Sequence, residues 1–253
     1  MVCFLGHPRP LHITPEAHEE IHHGFGFQVT HTITDHDDAA WLVPPAQRGS
    51  TTQIDNWTGP YEPAADARAR LRREWGIADD AYLIGALGRS EHSKGLDVLI
   101  QAFQQARPPG ARLVIVGHGR DWQRLRALAG PDIVMPGFVA RPQDCFAAFD
   151  AFVSAARSEP FGLVFLEAMA AGLPLLATAS QGGQHFAAMI GRPLLPLEDV
   201  AALQAALLQL AAQRPPRQVY DMRPFERSAR VAQETDEVEA EWLQLSEELE
   251  NAG

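Results

Sequence analysis

Lysine is almost missing from this 253-residue chain: Lys94 stands alone against twenty arginines. Cysteine is scarce as well. Cys3 and Cys145 have no framework spacing, which excludes a disulfide scaffold and makes a reducing compartment the expectation. No apolar run is long enough to span a bilayer. The first eight residues, Met-Val-Cys-Phe-Leu-Gly-His-Pro, lack both the positive region and the apolar run of a secretory signal. The sequence therefore reads as cytoplasmic, with a peripheral place at the inner face of a membrane left open, because a local basic patch can form on an acidic protein. A basic stripe is lacking too. The net charge is −11, with the acidic excess concentrated in residues 234–250, which argues against nucleic acid as the main partner. Against these absences, a hydrophobic content of 46% is enough for an ordinary core, in one large domain or two small ones.

From about residue 62 onward, short β-rich runs alternate with amphipathic segments. Runs at 82–87, 112–116, 132–135, 150–155 and 174–178 read as buried parallel strands. Helices are expected from Pro63 to Gly76 and over 96–106, 120–129, 142–149, 162–171 and 199–213, with Gly and Pro punctuating their ends. This alternation predicts an α/β fold with a doubly wound parallel sheet. Residues 1–60 differ. They hold seven of the ten histidines, suggest strands only at 27–32 and 40–43, and read as a linker over 47–60. The expected division is a short N-terminal segment, 1–60, and a Rossmann-like domain, 61–253, closed by a helix from Pro224 to about Glu250 that carries Val231, Val238, Trp242, Leu245 and Leu249.

The most informative stretch is Ser158-Glu-Pro-Phe-Gly-Leu-Val-Phe-Leu-Glu167, where a strand gives way to a helix. Ligands of open parallel sheets bind at such places. The free N–H groups of Gly162, Leu163 and Val164 would form an anion site at the helix N-terminus. Glu159 and Glu167 flank it, and a carboxylate accepts two hydroxyls at once, as paired sugar hydroxyls require. The loop Gly88-Arg89-Ser-Glu-His-Ser-Lys94-Gly95 again follows a strand. Arg89 brings a planar fork and Lys94 a compact charge, both suited to phosphate oxygens. An anion site between two hydroxyl-binding carboxylates is what a nucleotide-sugar needs.

Gly88-Arg89, Lys94-Gly95 through Phe103, Val114-Ile-Val-Gly117-His-Gly119, Pro136-Gly-Phe138-Val139, Glu159 with Glu167-Ala-Met-Ala-Ala-Gly-Leu-Pro174, and Gly182-Gly183 follow one another in order. This series, over about residues 61–213, resembles the group 1 (family 4) retaining glycosyltransferases. The resemblance implies the C-terminal, donor-binding half of the two-Rossmann-domain GT-B architecture, with a reduced N-terminal segment. It implies that Gly88, Arg89 and Lys94 meet the donor diphosphate, with Arg89, Lys94 and Glu159 as the catalytic set. Glu159 would hold the sugar hydroxyls with the backbone of Phe161, Gly162, Leu163 and Val164. Glu167 would take the ribose, and Phe138 and Val139 the nucleobase. No cofactor or tightly bound metal is implied. The partners implied are a UDP- or GDP-sugar donor and a hydroxyl acceptor, glycan or lipid-linked. The activity implied is hexose transfer with retention, in cell-envelope glycan synthesis.

Sixty residues cannot form the second Rossmann-like domain that holds the acceptor in this family. Residues 1–60 are accordingly expected to be its remnant. A cut-down form of a longer enzyme, a half-enzyme needing an acceptor-domain partner chain, and a non-catalytic nucleotide-sugar-binding module all fit. Gln184-His185-Phe186 also stands where Pro and Glu are often found in the family. Elsewhere, His18-Glu19-Glu20-Ile21-His22 matches a zinc-hydrolase pattern, but its polar surroundings favour a solvated surface helix. Cys145 reads as a buried small residue, and Trp75, Phe103, Phe146, Phe149 and Phe152 as core. His118 and His185 read as turn residues near the expected phosphates.

Overall fold

The computed structural model describes residues 61–223 and Phe225, and upstream of them three short strands, β1 (Cys3–Leu5), β2 (Thr32–Thr34) and β3 (Thr52–Gln53). Two compact units emerge: residues 1–57 with 223–253, and residues 58–222. In the first, β1, β2 and β3 form a parallel sheet in that order, with Cys3 opposite Thr32 and Ile33 opposite Thr52. These differ from the sequence expectation: β1 is not among the expected strands, β2 shares only Thr32 with the expected 27–32 strand, and β3 falls inside the stretch read as a linker. Strands of two or three residues are too short to display the alternation that reveals a longer one. The expected strand at 40–43, the His18–His22 pattern and residues 226–253 lie outside the described residues.

The second unit follows the expected alternation. Its helices are α1 (Ala67–Glu74), α2 (Leu96–Ala106), α3 (Trp122–Leu128), α4 (Pro142–Ala148), α5 (Leu163–Ala170), α6 (Gln181–His185), α7 (Ala187–Ile190) and α8 (Val200–Gln213). Its strands are β4 (Tyr82–Leu87), β5 (Ala111–Val116), β6 (Ile133–Gly137), β7 (Ala151–Ser154) and β8 (Leu175–Ala177), and a 3-10 turn covers His92–Lys94. All five strands are parallel, in the order β6-β5-β4-β7-β8. Strand β4 is central and buried from Tyr82 to Ala86, as a strand covered on both faces must be. Leu96, Leu99, Ile100 and Phe103 of α2 share one core with Leu203, Leu207 and Leu210 of α8. On α8, Asp199 caps the first turn by accepting from the Ala202 N–H at 2.8 Å. Trp75, Phe103, Phe146, Phe149 and Phe152 are all buried, as the sequence predicts. Cys145 is buried too, and desolvation pushes its thiol up to about 12, which removes it as a nucleophile at neutral pH.

Charge also enters this core. Arg72 is 2% exposed. Its guanidinium pairs with Asp150 at 3.2 Å and donates to the carbonyls of Ala148, Ala78 and Ala81. Asp150 in turn accepts from the Leu83 N–H at 2.7 Å and from Arg68 at 2.7 Å. The network ties α1, the start of β4 and the α4–β7 junction together at the N-terminal edge of the sheet, leaving the opposite edge free for ligands.

The winding direction reverses between β4 and β7. The chain runs outward from β4 to β5 and β6, then returns to place β7 on the other side of β4. The crevice beyond the carboxyl ends of β4 and β7 is therefore the topological switch point, the usual ligand position in such sheets.

Candidate functional site

Two loops meet at that switch point. The loop after β4 carries Gly88, Arg89 and the 3-10 turn with Lys94; the loop after β7 carries Glu159, Phe161 and Gly162. Their contact depends on Gly95. Its φ of +61° is left-handed, and a Cβ there would lie 1.9 Å from the Ala155 carbonyl oxygen. Only glycine permits both the turn and the approach. The Arg157 and Ser158 N–H groups then donate to the Ser93 carbonyl at 2.8 and 3.1 Å. Gly182, at the start of α6, supports the other side of the loop. Its N–H donates to the Glu159 carbonyl at 2.6 Å, and a Cβ would fall 2.2 Å from the Phe161 carbonyl.

This scaffold brings Lys94 Nζ within 2.5 Å of Glu159 Oε2, across a sequence separation of 65. Both side chains are largely withdrawn from solvent, at 23% and 11% exposure. The pair joins a candidate phosphate-binding cation to a candidate hydroxyl-binding carboxylate. Glu159 also lies against the N-terminus of α5, since a Cβ on Gly162 would approach its Cγ at 3.0 Å. Gly162 is the α5 N-cap, with φ +91° and no side-chain cap. The first N–H groups of α5 thus lack intrahelical acceptors, and the positive end of the helix dipole points outward.

The remaining predicted residues spread along the same edge. Leu163 is exposed, Val164 partly buried, and Glu167 partly buried two turns from Glu159. The Glu167 side chain makes no hydrogen bond or ion pair among the described residues, and burial raises its pKa above the ordinary glutamate value. Arg89 is not drawn into the Lys94–Glu159 pair; it is 76% exposed and faces Glu91 at 3.3 Å. Phe138, just past β6, is 78% exposed, while Val139 beside it is partly buried. Phe161 is buried and packs on His185 and Phe186, with ring centroids 4.9 and 5.3 Å away. Its side chain is therefore a support for the loop. His118 stacks on Trp122 at 5.1 Å, and Arg126 lies over the same indole at 5.0 Å.

Arg157 was missed by sequence reading. It sits two residues before Glu159, forks onto Asp97 in the first turn of α2 at 2.8 and 3.1 Å, and donates to the His92 carbonyl at 2.8 Å. Its Nε bonds Glu198 at 2.7 Å. In a chain with twenty arginines, one more carries no signal; an acid at the second position of a helix reads only as favourable to the dipole.

Two cavities among the described residues lie elsewhere. One of about 460 Å³ is lined by Gly76, Phe103, Arg107, Arg112, Asp132 and Arg214, and one of about 290 Å³ by Arg68, Tyr82, Asp150 and residues 214–217. Both adjoin the N-terminal ends of β4 or β5. Their linings mix both signs of charge, and neither holds a group that the switch-point argument selects.

Comparison with known proteins identifies the family. The profile of the family described as Glycosyl transferases group 1 matches residues 81–213. The chain is 37% identical over 139 residues to the lipopolysaccharide core biosynthesis glycosyltransferase LpsE of Rhizobium meliloti, covering 53% of this chain and 39% of that protein. It is 31% identical over 197 residues to the GDP-mannose-dependent monoacylated alpha-(1-6)-phosphatidylinositol monomannoside mannosyltransferase of Corynebacterium glutamicum, covering 72% and 49%. The chain thus spans less than half the length of either relative. Among solved structures, HepE of Anabaena in complex with UDP and glucose shares the fold, with a TM-score of 0.59 and 19% identity over 89% of this chain and 69% of that one.

Proposed function

Since the chain belongs to the group 1 glycosyltransferases, by the match over residues 81–213, we propose that its site binds a UDP- or GDP-sugar and serves transfer of a hexose, with retention, to a hydroxyl of a glycan or lipid-linked acceptor in cell-envelope glycan synthesis. The observation that carries this reading is the meeting of Lys94 and Glu159 at the switch point, against the N-terminus of α5. The names of similar proteins support these donor classes: one relative is named for GDP-mannose, and HepE, which shares the fold, was solved with UDP and glucose. The name of LpsE supports the envelope context.

The chemistry follows from where charge develops. Glycosyl transfer passes through an oxocarbenium-like state while the nucleoside diphosphate leaves with growing negative charge. Lys94, Arg89 near Gly88, and the N–H groups at 162–164 supply fixed positive charge for it. Glu159 orients the sugar through its hydroxyls. Glu167 takes the ribose, and the backbone of Phe138 and Val139 meets the base. Glu159 faces Lys94 at 2.5 Å, so a phosphate reaching Lys94 would share the cation with this carboxylate. The reading involves no tightly bound metal. The strands of the N-terminal unit are parallel, as in a Rossmann-like sheet, which supports reading it as an acceptor-domain remnant.

A second reading, a donor-binding half that turns over only with an acceptor-binding partner chain, is favoured by one fact: every described site residue comes from the 58–222 unit and serves the donor. Calorimetric titration with UDP, GDP and ADP tests both. Saturable binding of UDP or GDP is expected, and Lys94→Ala should weaken it by roughly 10- to 100-fold, the loss of a charge-assisted contact. Unchanged affinity in Lys94→Ala and Glu167→Ala would remove the site. Binding without turnover on any acceptor would select the half-enzyme.

A further inference from the structure

Lys94 is a point charge on a flexible four-carbon stem, so its position depends on the turn beneath it. That turn is weakly held by itself. Within the 92–95 segment the local bonds are Lys94 N–H to the Glu91 carbonyl at 3.0 Å and Gly95 N–H to the His92 carbonyl at 3.2 Å, and no side chain caps it. Arg157 grips it from outside. Its own N–H and its guanidinium bond the Ser93 and His92 carbonyls, and its fork closes on Asp97, three residues past Lys94. The side chain is 15% exposed, against 76% for Arg89. Burial alone would raise the Asp97 carboxyl, but the Arg157 hydrogen bonds and charge outweigh it and hold Asp97 below the ordinary aspartate range. The fork is therefore charged on both sides at working pH.

We propose that Arg157 is a positioning residue: it locks the Lys94 turn to the loop carrying Glu159 and so sets the separation between the phosphate-binding cation and the sugar-binding carboxylate. The proposal rests on the donor-site reading above for its functional meaning, but the geometry it controls is measurable without a donor. Arg157 stands two residues from Glu159 and bonds both sides of Lys94, so no other described side chain spans the two loops in this way. The bidentate geometry is what makes an arginine necessary, since it fixes angle as well as distance.

The single lysine makes the test direct. A chain grown with ¹³C,¹⁵N-lysine gives one set of side-chain NMR signals, from Lys94 alone. Glu159→Gln defines the signal of Lys94 without its partner. Arg157→Gln is expected to move the Lys94 signal toward that reference, and to weaken UDP or GDP binding by roughly tenfold, while cooperative unfolding persists. Asp97→Asn, which cuts the fork from the other side, should move it in the same direction and stands in if Arg157→Gln does not fold. Glu198→Gln removes the outer partner of Arg157 and should leave the signal in place. A Lys94 signal unmoved in folded Arg157→Gln or Asp97→Asn overturns the proposal, as does an equal shift in Glu198→Gln. A wild-type chain that binds neither UDP nor GDP removes the donor reading, while the Lys94 signal still decides the positioning role.

Discussion

Glu167 carries a charge where the fold disfavours one. Its carboxylate is partly buried, unpaired among the described residues, and raised in pKa by desolvation. A glutamate whose folded pKa exceeds its unfolded one costs stability above the folded value, and that cost fades as pH falls through it. A group kept at such a cost is reasonable where a ligand supplies the missing partners, and ribose hydroxyls would do so. Glu167→Gln should therefore raise the melting temperature at neutral pH by roughly 1–2 °C, and the gain should shrink in acid. The same variant should lose about 10- to 100-fold in nucleotide affinity, because the amide has one acceptor oxygen where the carboxylate has two. Scanning calorimetry at pH 7 and pH 4 beside nucleotide titration checks both. A variant less stable at pH 7 than the wild type would contradict this account of Glu167.

Among the elements, α1 is held by charge more than by apolar area. Its buried residues are Ala67, Leu71 and Arg72, and Arg72 reaches across to Asp150 and four carbonyls. Removing Arg72 leaves those carbonyls without a donor, while Asp150 keeps Arg68 and the Leu83 N–H, so the cost is about 1–3 kcal/mol. Arg72→Ala should lower stability to urea by that amount without changing the Lys94–Glu159 geometry at the far edge of the sheet. The elements also differ in how plainly the sequence announced them. The five strands of the large sheet were legible because strands buried on both faces read as continuous apolar runs. Helices α6 and α7 were not, because Gln181-Gly-Gly-Gln184 looks like a turn. Ser180 nonetheless accepts from the Gly183 N–H at 3.3 Å, and Gly182 is needed for its approach to the 159–161 loop. In the site, Lys94 stood out as the single lysine and Glu159 and Glu167 by their spacing around a strand-to-helix turn. Arg157 and the role of Gly95 depend on which loops the topology brings together, and no local pattern states that.

At the scale of the whole molecule, the proposed donor site falls within one unit. Gly88, Arg89, Lys94, Phe138, Val139, Arg157 and residues 159–167 all fall within 58–222, as does the core that α8 completes. The end of that unit is anchored as well. Arg217 donates to the Ala171 carbonyl and to the carbonyls of Phe146, Ala147 and Phe149 at 3.1–3.2 Å, Gln218 N–H bonds the Gly172 carbonyl at 2.7 Å, and Tyr220 Oη donates to the Leu173 carbonyl at 2.8 Å. These contacts close the last carbonyls of α4 and the turn after α5, so the unit does not end on loose chain. Residues 58–222 expressed alone should accordingly unfold cooperatively and bind UDP or GDP within about threefold of the full chain, a difference under 1 kcal/mol. Acceptor-dependent sugar transfer should be lost, because the segment read as the acceptor-domain remnant is absent from the isolated unit. Matched titrations on the two chains, with product detection on the full one, measure this. If the isolated unit folds but binds no nucleotide that the full chain binds, the site draws essential residues from 1–57 or 223–253, and the assignment of donor binding to one unit fails.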